Sequence, residues 1–150
     1  MAASVEAATG QQPTGFLVQR MAPAGVEMLV GVVHDPQFGP TIACGAGGAL
    51  VEVMNDVSVR LSPLAQSDAA SMLRDLRSFR LLEGYRGSLP CDIAALEDVL
   101  LRVSALAENH PEIAEMDCNP VIVTAAGAVV VDARVRVAAA PPKPPLGARR

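Results

Sequence analysis

Near the C-terminal end, the runs EMDCNPVIV and AVVVDARV are apolar enough to be β-strands, yet they carry Asp117, Asn119 and Asp132. Polar groups on a half-buried sheet face cost free energy unless they are hydrogen-bonded or hold a ligand. Side chains alternate across a strand, so Asp117 and Asn119 project to one face. A turn centred on Ala125 and Ala126 sets Asn119 opposite Asp132, or one residue off if Gly127 forms a bulge. Three oxygen-bearing side chains can then converge on one patch. Hard cations such as magnesium take one or two protein oxygens and complete their shell with water and substrate phosphates, so the patch has the make-up of a half-shell for such an ion. The plainer alternative is that Asp117 and Asn119 cap a turn before Pro120 while Asp132 pairs with Arg134 or Arg136.

Further candidates lie upstream. CGAGGALVEV places Gly45, Gly47 and Gly48 between apolar runs, where backbone N–H groups can approach phosphate oxygens closely, although such clusters also make ordinary turns. No GxxxxGK[ST] is present and no helix follows in the manner of a GxGxxG dinucleotide fold, so both of those phosphate-binding architectures are excluded. Gln19 ends one apolar run and Glu27 opens the next. A strand end can offer backbone hydrogen bonds to an adenine edge, and a carboxylate can accept from ribose hydroxyls; a solvated loop rim is the alternative. Arg60 in SVRLSPL and Arg86 in GYRG can each make charge-assisted contacts to a phosphate or a carboxylate.

The elements that would position these residues are legible as an α+β pattern. GFLVQRM and VEMLVGVVHD read as strands joined through APAG, DPQFGP as a turn, TIACGAGG as a short strand, and LVEVMNDVSVRLSPL as a strand broken near Asn55. Two helices follow, one capped by Ser67 with Met72, Leu73 and Leu76 on a face, the other capped by Asp92 with Ile93, Leu96, Leu100, Val103 and Ala107 at helical spacing. His110-Pro111 ends the second, and the terminal pair closes as a hairpin at TAAG. Strands, then helices, then strands predict a largely antiparallel sheet with two main helices on one face. Residues 1–14 read as a disordered N-terminus, 15–137 as the ordered domain, and 138–150 as a disordered Pro/Ala-rich tail.

Composition narrows the function classes. At 150 residues and 51% hydrophobic content the chain can bury one core, aliphatic because it has three Phe, one Tyr and no Trp. Without aromatic platforms or a basic patch, and with a net charge of -4, nucleic acid is excluded as a partner. Cys44, Cys91 and Cys118 have neither CxxC spacing nor an even count, which speaks for a reducing cytosol rather than disulfides or zinc. No run reaches the ~18 apolar residues of a spanning helix, and the start lacks the pattern of an export signal.

Taken together, GFLVQRMAPAGVEMLVGVVHDPQFGPTIACGAGGALVEVMNDVSVRLSPL, LLEGYRG and EMDCNPVIVTAAGAVVVDARV resemble the C-terminal part of the ATP-grasp domain of ADP-forming acyl-CoA synthetases. That family includes ADP-forming acetate–CoA ligases and is related to the succinyl-CoA synthetase beta chain and to the synthetase-like part of bacterial lysine acetyltransferases. The resemblance covers about residues 15–137. It implies Asn119 and Asp132 as magnesium ligands with Asp117 in the neighbouring acidic position, Gln19 beside the adenine with Ala22 as a nearby backbone contact, and Glu27 on the ribose. It also implies Gly47 and Gly48 with Glu52 near the phosphates and Arg60 as a catalytic arginine of the phosphate neighbourhood.

The implied ligands are ATP or ADP and Mg2+. The implied reaction interconverts acyl-CoA, ADP and phosphate with carboxylate, CoA and ATP. The chain departs from the family in lacking a first subdomain with its phosphate-holding lysine, since Lys143 in the tail is the only lysine, and neither His34 nor His110 stands in a phosphohistidine pattern. The expected partners are therefore a nucleotide and the complementary ATP-grasp subdomain and CoA-binding domains on another chain, with no turnover by this chain alone. A non-catalytic nucleotide-sensing or interaction module, or an inactive fragment, is the alternative.

Overall fold

The computed structural model describes residues 1–48 and 55–140. Its centre is a six-stranded, wholly antiparallel sheet built from β1 (Val26–Asp35), β2 (Gly39–Ala46), β3 (Val57–Leu61), β4 (Ile113–Thr124), β5 (Gly127–Val130) and β6 (Ala133–Val137). The order is β3-β2-β1-β4-β5, with β6 pairing β4 beyond the end of β5. β4 is the organising strand: one edge pairs β1 along most of its length, and the other is shared between β5 and β6.

Alternation along these strands separates two faces. Met28, Val30, Val32, Ile42, Cys44, Cys118, Val121 and Val123 are all buried and form the apolar face. Against it pack α2 (Gln66–Arg74), the single turn α3 (Phe79–Leu82) and α4 (Ile93–Asn109), which contribute Ala69, Met72, Leu73, Leu82, Leu96 and Leu100 to one core. α4 is the long helix expected from the sequence. The Asp92 carboxylate accepts from the Ala95 N–H at 3.0 Å at its start, and it ends at His110. The opposite face of the sheet carries Glu27, Leu29, Val33, Val57, Val59, Leu61, Asp117 and Asn119 and has no helix on it among the described residues.

Two expectations are corrected. α2 starts two residues early, at Gln66 with Ala65 before it, so Ser67 is not its cap; the Asp68 carboxylate reaches back to the Ala65 N–H at 2.8 Å instead. GFLVQRM forms no strand, and Leu17, Val18 and Met21 are 86%, 89% and 87% exposed. Strand-forming composition is realised only where a ladder partner exists, and among the described residues none lies beside this run. Within residues 1–14 the structure has α1 (Ala2–Thr9), an alanine-rich helix closed by Gly10 that buries no residue. No helix among the described residues is long and apolar enough to cross a membrane.

Candidate functional site

The site begins with the turn Ala125-Ala126. A two-residue connection pairs Thr124 with Gly127, and the register runs unshifted through Val121 with Val130 and Cys118 with Ala133. Asn119 therefore stands opposite Asp132, and its N–H donates to the Asp132 carbonyl at 3.2 Å. Because Cys118 and Val121 turn inward, Asp117 and Asn119 turn to the helix-free face; Asp117 and Asp132 are exposed and Asn119 is half-buried. Burial pushes the Cys118 thiol up, and the nearby Asp117 and Asp132 carboxylates push it further. The plainer alternative is present in part: Arg134 approaches Asp132 at 4.0 Å, while Arg136 pairs with Glu115 at 2.9 Å.

β1 and the glycine-rich end of β2 bring the second half. Gly47 donates its N–H to the Glu27 carbonyl at 2.8 Å and lies so close to β1 that a Cβ there would fall 2.6 Å from the Met28 backbone. Gly48 follows in the left-handed region (φ +60), where a Cβ would overlap the Glu27 carboxylate. The Gly48 N–H donates to Asn119 Oδ1 at 3.1 Å. Glu27, Gly48 and Asn119, from three separate segments, thus meet on one open sheet face. Glu52 lies outside the described residues.

The other expected residues are not gathered there. Gln19 is exposed in the unpaired run, and Ala22 lines a separate cleft of about 340 Å³ with Met21, Pro23 and Gly127. Arg60 stands opposite Ile42, hence on the helix-covered face, and its guanidinium is ion-paired to Asp75 at the end of α2 and bonded to the Val59 carbonyl at 2.9 Å. Sequence reading gave no hint of Asp75 in that role, nor of Asp56, a buried carboxylate that organises the chain entering α3. Arg86 adopts a left-handed backbone (φ 53) and stacks over the Tyr85 ring at 5.3 Å. Tyr85 in turn walls a cavity of about 410 Å³ between the helix layer and Met28 and Gly47.

Among the described residues no set of three or more His, Cys, Asp or Glu side chains forms an all-protein metal cage. What is present is a half-buried amide opposite one exposed carboxylate, with a second exposed carboxylate two residues away, a sparse oxygen set of the kind that suits an ion sharing its shell with other ligands.

Residues 1–137 match the model of a family described as the ATP-grasp domain. The chain is 50% identical over 121 residues to acetate–CoA ligase [ADP-forming] I of Archaeoglobus fulgidus, covering 81% of this chain and 18% of that protein. It is 43% identical over 121 residues to the beta subunit of acetate–CoA ligase [ADP-forming] I of Pyrococcus furiosus, covering 52% of it. Among solved structures, the dinucleotide-forming acetyl-coenzyme A synthetase 1 of Ca. Korarchaeum cryptofilum, in complex with coenzyme A and Mg-AMPPCP, superposes with a TM-score of 0.76 at 48% identity. That match covers 78% of this chain and 55% of the other. The chain thus spans about half the length of its subunit-type relatives and a smaller share of the longer one. With the mixed, mostly antiparallel fold, these matches place the chain in the ATP-grasp domain family.

Proposed function

We propose that this chain supplies the magnesium-nucleotide face of an ADP-forming acyl-CoA synthetase. In this reading, acyl-CoA, ADP and phosphate are interconverted with carboxylate, CoA and ATP together with a complementary ATP-grasp subdomain and CoA-binding domains. The observation that carries it is the meeting of Glu27, Gly48 and Asn119 on the open sheet face. Glu27 would accept from ribose hydroxyls, the Gly47–Gly48 backbone would face the phosphates, and Asn119 with Asp132 and Asp117 would hold the ion. Bound there, magnesium would neutralise charge on the phosphate oxygens. The chain's own contribution is positioning, which dominates phosphoryl transfer.

The ion pair that holds Arg60 on the far face, and the lack of any lysine outside residue 143, support binding without turnover by residues 1–150 alone. Fluorescent ADP titrated into the purified chain tests this. Binding that strengthens with Mg2+ and falls at least tenfold in Glu27→Ala and Asn119→Ala is the expected result. Absence of binding with magnesium, or binding indifferent to both substitutions, overturns the assignment. Acyl-CoA-dependent ATP formation by the chain alone would overturn the need for a partner.

A further inference from the structure

The hydrogen bond from the Gly48 N–H to Asn119 Oδ1 (3.1 Å) joins two groups of opposite liking. A backbone N–H at a left-handed glycine is an anion donor, and an amide oxygen on an open sheet face is a cation ligand. Here each satisfies the other. We infer that this bond is a latch that occupies the phosphate-facing donor and the ion-facing acceptor with one another until a ligand carrying both signs replaces them. The inference rests on the proposed nucleotide face and adds to it a rule of admission: neither charge alone opens the site.

The physical reason is an asymmetry of costs. A part-buried donor left without its partner loses more than a new contact elsewhere returns. A cation can share the second lone pair of Asn119 Oδ1 and leave the bond closed, or draw the oxygen away and strand the Gly48 N–H, whereas an anion drawing the N–H away strands the oxygen. A lone anion meets a further obstacle, because the Glu27 carboxylate lies against Gly48 and Asp117 and Asp132 stand on the same face. A paired cation and anion restores both partners at once and offsets those charges. The latch is reachable because both residues sit at ends: Gly48 just past β2, and Asn119 where β4 loses its regular register with β1 between Met28 and Val30.

Amide NMR on the full chain reads the latch directly, following the Gly48 cross-peak and its hydrogen-exchange rate. In ligand-free protein, Asn119→Ala should speed Gly48 exchange about three- to tenfold, while Asn119→Asp, which keeps an acceptor oxygen, should preserve protection. In the wild type, inorganic phosphate alone and Mg2+ alone should leave the Gly48 peak in place and the two together should move it; in Asn119→Ala, where only the carboxylates still oppose an anion, phosphate alone should move it further than in the wild type. If Asn119→Ala does not fold, Asn119→Ser, too short to reach Gly48, takes its place. Equal Gly48 exchange in wild type and the truncated variant overturns the latch, as does a wild-type Gly48 peak that shifts as far with phosphate alone as with phosphate and Mg2+. Failure of ADP with Mg2+ to perturb any amide of the open face overturns the nucleotide reading instead, and the ligand-free exchange comparison tells the two failures apart.

Discussion

The carboxylate of Asp56 receives the Ser78 N–H at 2.8 Å and the Arg77 N–H at 2.9 Å, fixing the entry to α3 from more than twenty residues away in sequence. Asp56 is 7% exposed. Burial opposes its charge, but the hydrogen bonds from the Arg77 and Ser78 amides, with the Ser78 side chain and the Arg77 charge close by, outweigh burial and hold the carboxyl below its ordinary value of 3.8. A native value below the unfolded one means that the unfolded state binds more protons in acid. The stabilisation is therefore complete above pH 3.8 and is lost as pH falls through the depressed native value. Asp56→Ala should lose about 2–3 kcal/mol at pH 7, and urea melts should show the gap to wild type closing below pH 3.8.

Thiol labelling should follow burial. Cys44 and Cys118 are sealed in the core, and burial pushes the Cys44 thiol up to about 12. Cys91 is only partly buried and lines a surface cleft with Pro23 and Thr124, although burial raises its thiol too. Iodoacetamide at pH 8 should modify Cys91 first in the folded protein and reach the other two only after denaturation; mass spectrometry counts the adducts.

The two glycines of the site should respond differently to alanine. Gly47→Ala drives a Cβ into the Met28 backbone, which cannot give way cheaply, so the melting temperature should fall by several degrees. Gly48→Ala meets only the flexible end of Glu27 but must hold φ +60, a cost of about 1 kcal/mol. Its main effect should be displacement of the Glu27 carboxylate, and a double-mutant cycle with Glu27→Ala should show coupling in ADP affinity.

Arg60→Ala should leave ADP affinity within about twofold. Its guanidinium belongs to Asp75 on the helix side, and a half-exposed ion pair contributes about 0–1 kcal/mol, so thermal stability should fall by that much and Asp75→Ala should have the same effect. A tenfold loss of ADP binding in the arginine variant would return Arg60 to the site.

How much of this was legible depends on the range over which each feature is decided. α4 is local: Asp92 caps it, its apolar spacing repeats, and His110-Pro111 stops it, so its limits could be read directly. The alignment of Asn119 with Asp132 is nearly local, because a two-residue turn fixes the register from Thr124 with Gly127 back to Asp117 with Arg134. The meeting of Asn119 with Gly48 spans 71 residues and depends on β1 lying between β2 and β4, which no window of sequence displays. Family resemblance pointed to both residues but not to their bond. Arg60 shows the opposite outcome: its motif drew attention, yet strand alternation placed it beside Ile42, away from Glu27. The run from Phe16 to Met21 has the composition of a strand, and only the absence of a neighbouring ladder among the described residues decides against it.

That same run has a practical consequence. With Leu17, Val18 and Met21 turned to water and no strand beside them among the described residues, its peptide bonds are ones a protease with an apolar preference can seat in its cleft. Brief digestion should cut there before it touches the sheet, and whatever shields that stretch from cleavage will identify itself as the surface that docks against it.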